Sequence, residues 1–252
     1  MRPRSCLGMA TLLLLAARPG ADPAIASGAT AREAIYLLGP DGAICRWRPG
    51  LSSLEPVSLP WLAVNDLAPL KGGDRLLILA DAPSEAAGRG ARRPTGEAVL
   101  LDAATTSPTP IRSVPFEGRG FKGVATADGR RAYLLSYHSG KGKARETPGA
   151  WIHEIDLVAG KEGASAALAR LPNGLAVDPA GRRLFVSFQD EILTYTTSPL
   201  ASSWRYRSPG VNRGLYVAPG GDLLYAVRER QVALFQLRPQ AAPGADAARR
   251  SR

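Results

Sequence analysis

The chain of 252 residues has two cysteines, two methionines and two histidines. Two cysteines cannot build the disulfide framework of a small secreted domain, and no CxxC pair is present for zinc or thiol exchange. The histidines, His138 and His153, complete no HExxH motif, and no Ser-His-Asp order is visible. Lysine is scarce. Only Lys71, Lys122, Lys141, Lys143 and Lys161 contribute to the 32 basic residues, and the rest are Arg. The net charge of +10 and the pI near 10.1 invite a nucleic-acid reading. The charges are scattered, however, and no basic helix with interleaved aromatics occurs. The surplus reads as drift toward Arg in a chain crowded with Ala, Gly and Pro, and no nucleic-acid partner is expected.

Long apolar runs are missing as well. Cys6–Ala17 is apolar but falls short of the roughly 20 residues a bilayer-spanning helix needs. It follows Arg2 and Arg4 and precedes the small-x-small stretch Ala24-Ile25-Ala26, so Met1–Ala26 reads as a secretory signal peptide. The mature chain is then expected in the periplasm or secreted, with no membrane insertion, as a monomer. Removing Arg2, Arg4, Arg18 and Asp22 takes the charge from +10 to +8. Cys45 is left as the single cysteine, inside the strand-like Ala43-Ile44-Cys45-Arg46-Trp47, and reads as a buried structural thiol.

What is present is a repeated pattern. Leu171–Thr196 reads LPNGLAVDPAGRRLFVSFQDEILTYT. Three short apolar runs, Leu175–Val177, Leu184–Phe188 and Ile192–Thr196, are separated by the turn Asp178-Pro179-Ala180-Gly181 and the polar break Gln189-Asp190-Glu191. Similar units occupy Glu33–Ser58, Val64–Pro115, Phe121–Leu171 and Gly214–Leu237. The turn glycines Gly73, Gly129, Gly181 and Gly221 lie 56, 52 and 40 residues apart by subtraction. The insertions Ala82–Thr95 and His138–Pro148 account for the longer spacings, leaving a period near 40 residues.

Such a period, with several short strands per unit, predicts an all-β fold: a β-propeller of four-stranded antiparallel blades, five in number, with six as the alternative. Residues 27–238 form the propeller. Residues 239–252 are a basic tail too poor in apolar side chains to pack, and disorder is expected there. The one helix-like stretch is Glu162–Leu171. Trp47, Trp151 and Trp204 are expected between blades, with Trp61 between units. Asp190-Glu191 reads as a hairpin tip, and Asp74 and Asp222 as turn residues.

Two units carry a family resemblance. Pro172–Ser187, PNGLAVDPAGRRLFVS, is similar to the repeat of YVTN-type propellers and of the senescence-marker/gluconolactonase family. Ala34–Gly50, AIYLLGPDGAICRWRPG, resembles the first hairpin of gluconolactonase-type enzymes. The resemblance implies a divalent metal, calcium or zinc, at the mouth of the channel, where it would polarise a lactone and activate water. Asn173 matches one of the implied ligand positions. The implied Glu of the first blade has no counterpart here. Aligning Asp66, Gly123, Gly174 and Gly214 puts Asn65, Lys122, Asn173 and Arg213 at equivalent places, so two cations stand where oxygen ligands are implied.

Those four residues are therefore the candidate ligand-binding set, lining one mouth and binding an anion. No catalytic residue is assigned, and no cofactor is expected outside the lactonase-like reading. Arg89, Arg92, Arg93, Lys141, Lys143 and Arg145 on the insertions would steer acidic partners to that face. The expectation is an exported, non-catalytic propeller that binds a protein or an anionic small molecule. The alternative is a metal-dependent lactonase-like hydrolase. A periplasmic redox accessory is a third reading, with no haem or quinone signature behind it.

Overall fold

The computed structural model describes residues 11–12, 35–38, 43–48, 53, 55–57, 59, 64–70, 75–81, 96–103, 108–137, 149–208 and 210–237. Apart from Thr11–Leu12, the proposed signal segment lies outside them. So do Gly73, Trp61, His138, the insertions Ala82–Thr95 and His138–Pro148, and the tail.

Every regular element among the described residues is a strand, and the strands form five antiparallel sheets. The first contains β1 (Thr11–Leu12), β2 (Ile35–Leu38), β3 (Ile44–Trp47) and β4 (Glu55–Val57). The second contains β5 (Val64–Pro69), β6 (Arg75–Asp81), β7 (Gly96–Asp102) and β8 (Thr109–Phe116). The third contains β9 (Arg119–Ala125), β10 (Arg131–Tyr137), β11 (Ala150–Asp156) and β12 (Lys161–Leu168). The fourth contains β13 (Gly174–Val177), β14 (Arg183–Ser187), β15 (Glu191–Thr197) and β16 (Leu200–Arg207). The fifth has three strands, β17 (Gly214–Val217), β18 (Leu223–Val227) and β19 (Val232–Gln236). Within each sheet the strands pair in chain order, which is the up-and-down blade of a propeller.

The repeat dictates this local structure. Gly129, Gly181 and Gly221 sit in the left-handed region at φ 69°, 68° and 74°, where an L side chain would be strained. Each closes the tight turn between the first two strands of its sheet. The strands buried on both faces, such as Leu76–Ala80, are apolar on nearly every residue because a sheet lies on each side. Four core clusters lie between consecutive sheets. Tyr36, Ile44, Ile78 and Leu101 join the first to the second. Leu77, Leu79, Leu134 and Ile155 join the second to the third. Tyr133, Ile152, Leu175 and Val186 join the third to the fourth. Phe185, Ile192, Leu215 and Leu224 join the fourth to the fifth. The first strands β5, β9, β13 and β17 run side by side along the channel.

Three expectations are corrected. The helix-like Glu162–Leu171 is mostly strand β12, an exposed outer strand that pairs with β11 from Ala150↔Leu168 to Asp156↔Lys161. Its Ala-rich composition favours helix only weakly, and the free edge of β11 overrides that preference. Trp204 is not packed between blades; it is exposed on the outermost strand β16. Cys45 is buried but disulfide-bonded rather than a free thiol. The only other cysteine in the chain is Cys6, which lies outside the described residues. Counting Cys45 as solitary set aside Cys6 together with the signal segment.

Candidate functional site

Three of the four candidate residues lie at or just before the starts of first strands, and Lys122 lies in the middle of its own. Asn65 is the second residue of β5, Lys122 lies in β9, and Asn173 and Arg213 directly precede β13 and β17. Backbone hydrogen bonds fix the last two: Asn173 N donates to Ser187 O at 2.7 Å, and Arg213 N to Val227 O at 2.7 Å. Gly123 N donates to Asp66 Oδ2 at 2.8 Å, which ties β5 to β9. The strand register corrects the alignment of the repeats at one place: Leu79, Leu135, Ser187 and Val227 hold equivalent positions in the second strands and pair with Asp66, Lys122, Gly174 and Gly214, so Phe121, not Lys122, is level with Asn65, Asn173 and Arg213.

The cations here are already partnered. Lys122 Nζ lies 3.3 Å from Asp66 Oδ1, across the junction of the second and third sheets. Burial pushes the Asp66 carboxyl above its ordinary value, against the opposing pull of Lys122 and the Gly123 N–H. Asn65 Nδ2 donates to Asp81 Oδ1 at 2.7 Å, while Arg119 Nη2 donates to Asn65 Oδ1 at 2.9 Å. Arg213 pairs with Glu229 at 2.9 Å. Arg170 binds both Asp190 and Glu191, and Arg205 adds a second contact to Glu191. This mouth therefore carries alternating charges, not a concentrated positive ring. Asp66, Asp81, Arg119, Arg170 and Glu229 were not singled out from the sequence. One signal for Asp66 exists: a carboxylate inside the otherwise apolar Val64–Leu70.

The donor set does not fit the divalent metal that the lactonase resemblance implies. Asn173 is exposed, but its equivalents are the cation Arg213, the apolar Phe121 and Asn65, which is held by Asp81 and Arg119, and Lys122 is paired with Asp66. Among the described residues no group of three His, Cys, Asp or Glu side chains converges on one point.

A second polar feature was not visible in the sequence. Ser136 Oγ and His153 Nε2 are 2.7 Å apart, and His153 Nδ1 lies 2.7 Å from Glu162 Oε1. In a neutral ring, Nδ1–H donates to Glu162 and Nε2 accepts from the Ser136 hydroxyl. The order Ser–His–acid resembles a nucleophile relay, but Ser136 and His153 are buried and Phe116 packs on the imidazole at 5.5 Å between centroids. A substrate carbonyl has no route to Ser136 Oγ. The trio is a polar bridge across β10, β11 and β12, and it satisfies groups that would be costly to bury alone.

At the opposite end of the first strands, a cleft of about 520 Å³ opens between the turns of the third and fourth sheets. Arg130, Arg131 and Arg182 line it together with Asp128 and Asp156. The Thr126 hydroxyl and the Arg130 N–H hold the Asp128 carboxyl below its ordinary value. The Ala159 and Val158 N–H groups do the same for Asp156. These aspartates brace the turns and balance the arginines, so this end is also mixed in charge.

No family model matches the chain, and no curated protein sequence matches it. Solved structures do match. The chain is similar to Kuenenia stuttgartiensis hydrazine synthase, with 14% identity and a TM-score of 0.64 over 81% of this chain and 68% of that one. It is also similar to the β-propeller domain of Myceliophteria thermophila Cps50 (Swd1), with 11% identity and a TM-score of 0.59 over 86% of this chain and 65% of that one. The chain thus spans about two thirds of the length of both. At such identities the likeness concerns the fold, and with the five sheets it identifies the architecture: the chain is a β-propeller.

Proposed function

We propose that this chain is an exported, non-catalytic binding propeller, whose mouth at the starts of the first strands seats a protein or an anionic small ligand. Export rests on the n-region, apolar core and small-residue site of Met1–Ala26, a segment that also supplies the short strand β1 to the first sheet. The observation that carries the binding reading is the shared level of Asn65, Asn173 and Arg213 at the starts of first strands, with Lys122 one residue further along β9. Arg213 and Glu229 have side chains 66% and 77% exposed. Exposed pairs of this kind are worth only about 0–1 kcal/mol, so a partner's carboxylate can take over the arginine at little cost. Lys122 is more enclosed and serves mainly to neutralise Asp66. Arg213, Arg119 and Asn173 are then the groups available to a ligand, and the alternation of signs favours a protein surface over a single small anion.

Calorimetric titration with sugar acids, phosphate and a polyanion tests the anionic arm, and capture from the exported protein fraction tests the protein arm. Arg213→Glu should abolish whichever signal the wild type gives. An absence of signal in both arms would end the reading. A lactone hydrolysis assay with added calcium or zinc addresses catalysis; the expected result is no turnover above the metal alone.

A further inference from the structure

Each inner sheet of the propeller is covered on both faces. The fourth sheet meets the fifth through Ala176, Phe185, Ile192 and Thr194, which are 4%, 0%, 0% and 4% exposed. Strand register identifies the matching positions on the fifth sheet. Ala176 pairs with Phe185 and Phe185 with Thr194, just as Tyr216 pairs with Tyr225 and Tyr225 with Leu234. Ser187 pairs with Ile192 as Val227 pairs with Val232. At these equivalent places Tyr216 is 57%, Val232 52% and Leu234 61% exposed, and Val211, just ahead of β17, is 50% exposed. The face has the composition of a blade–blade contact, and among the described residues no blade lies on it.

We propose that this bare face is a self-association surface on which two copies of the chain pack, face to face, about a twofold axis. One source within the chain, its C-terminal tail, is unsuited to cover it. Residues 238–252 carry no apolar side chain larger than Ala and Pro. A second copy fits because the row Tyr216, Tyr225, Leu234 is uncharged and so complementary to itself, as a twofold contact requires. At its rim Arg213 and Glu229 already neutralise one another. Four exposed apolar side chains make a patch smaller than the roughly 800 Å² per partner of a standard interface, which places the dimer in the weak, reversible class. Self-association replaces the monomer expected from the sequence.

Sedimentation velocity on the full chain, from low to several hundred micromolar, tests the proposal. The expected result is a monomer–dimer equilibrium that added salt strengthens by screening the net positive charge of each copy. Leu234→Glu should weaken it roughly tenfold or more, with an unchanged unfolding midpoint. Tyr216→Glu, at a separate exposed position, serves if the first variant fails to fold. A chain that stays monomeric throughout overturns the proposal. So does a dimer indifferent to both substitutions, or a ladder of species beyond the dimer.

Discussion

The fourth and fifth sheets begin with almost the same strand, Gly174-Leu175-Ala176-Val177 and Gly214-Leu215-Tyr216-Val217. In both, the Leu points to the preceding sheet and is buried. The next residue points the other way, and there the two sheets part. Ala176 fits beneath the fifth sheet, where volume is limited, while Tyr216 is large and exposed. Place in the series, not side-chain polarity, decides which apolar residues are core.

The largest effect should come from the buried member of this comparison. Phe185→Ala is expected to cost about 3–5 kcal/mol in urea unfolding, whereas Leu234→Ala at low protein concentration should change stability by under about 0.5 kcal/mol. Equal losses would break the comparison.

The polar ties between sheets come next. Arg183 Nη2 donates to Gly221 O at 2.9 Å while its Nε binds Asp178 at 3.0 Å, linking the fourth sheet to the fifth. Arg183→Ala should cost about 1–3 kcal/mol, because Asp178 is left buried with less compensation. Hydrogen exchange should quicken first in β17–β19. At the junction of the second and third sheets, Asp66→Ala should cost a similar amount, and Asp66→Asn less.

The dependence on pH separates these carboxylates. Asp66 has a raised folded value, so its ionisation works against folding at neutral pH. Wild type should gain stability relative to Asp66→Asn as pH falls through that raised value toward 3.8. Asp128 has a lowered folded value and behaves oppositely. Its contribution is present above 3.8 and is lost as pH falls through the lowered value, which denaturant titrations of Asp128→Asn across pH would show.

The smallest effect distinguishes two glycines. A Cβ on Gly174 would lie 2.8 Å from the buried Ser187 Oγ, whereas one on Gly214 meets the Tyr216 ring at 3.1 Å. The Tyr216 ring can swing into solvent. Gly174→Ala should cost about 1 kcal/mol and Gly214→Ala close to nothing, as thermal melts would show.

Much of the fold was legible because it is local. Turns at Gly129, Gly181 and Gly221 and apolar runs such as Leu184–Val186 mark strands within a few residues of one another. The strand at Lys161–Leu168 was not legible, since an exposed outer strand owes its shape to β11 rather than to its own side chains. The level of Asn65, Asn173 and Arg213 could be read from the repeat, but Lys122 was aligned one residue out of step, and the partners of all four could not be read. Asp66 and Lys122 are 56 residues apart and meet only because two sheets pack. Ser136, His153 and Glu162 likewise come together through antiparallel register, which no motif spacing encodes.

Hydroxyl-radical footprinting of the dilute full chain tests the open end of the propeller most directly. Phe185 and Ile192 should be protected, while Tyr216 and Leu234 should be heavily modified. Protection of Tyr216 and Leu234 equal to that of Phe185, at concentrations too low for self-association, would mean that the fifth sheet is covered within the chain and would contradict the account.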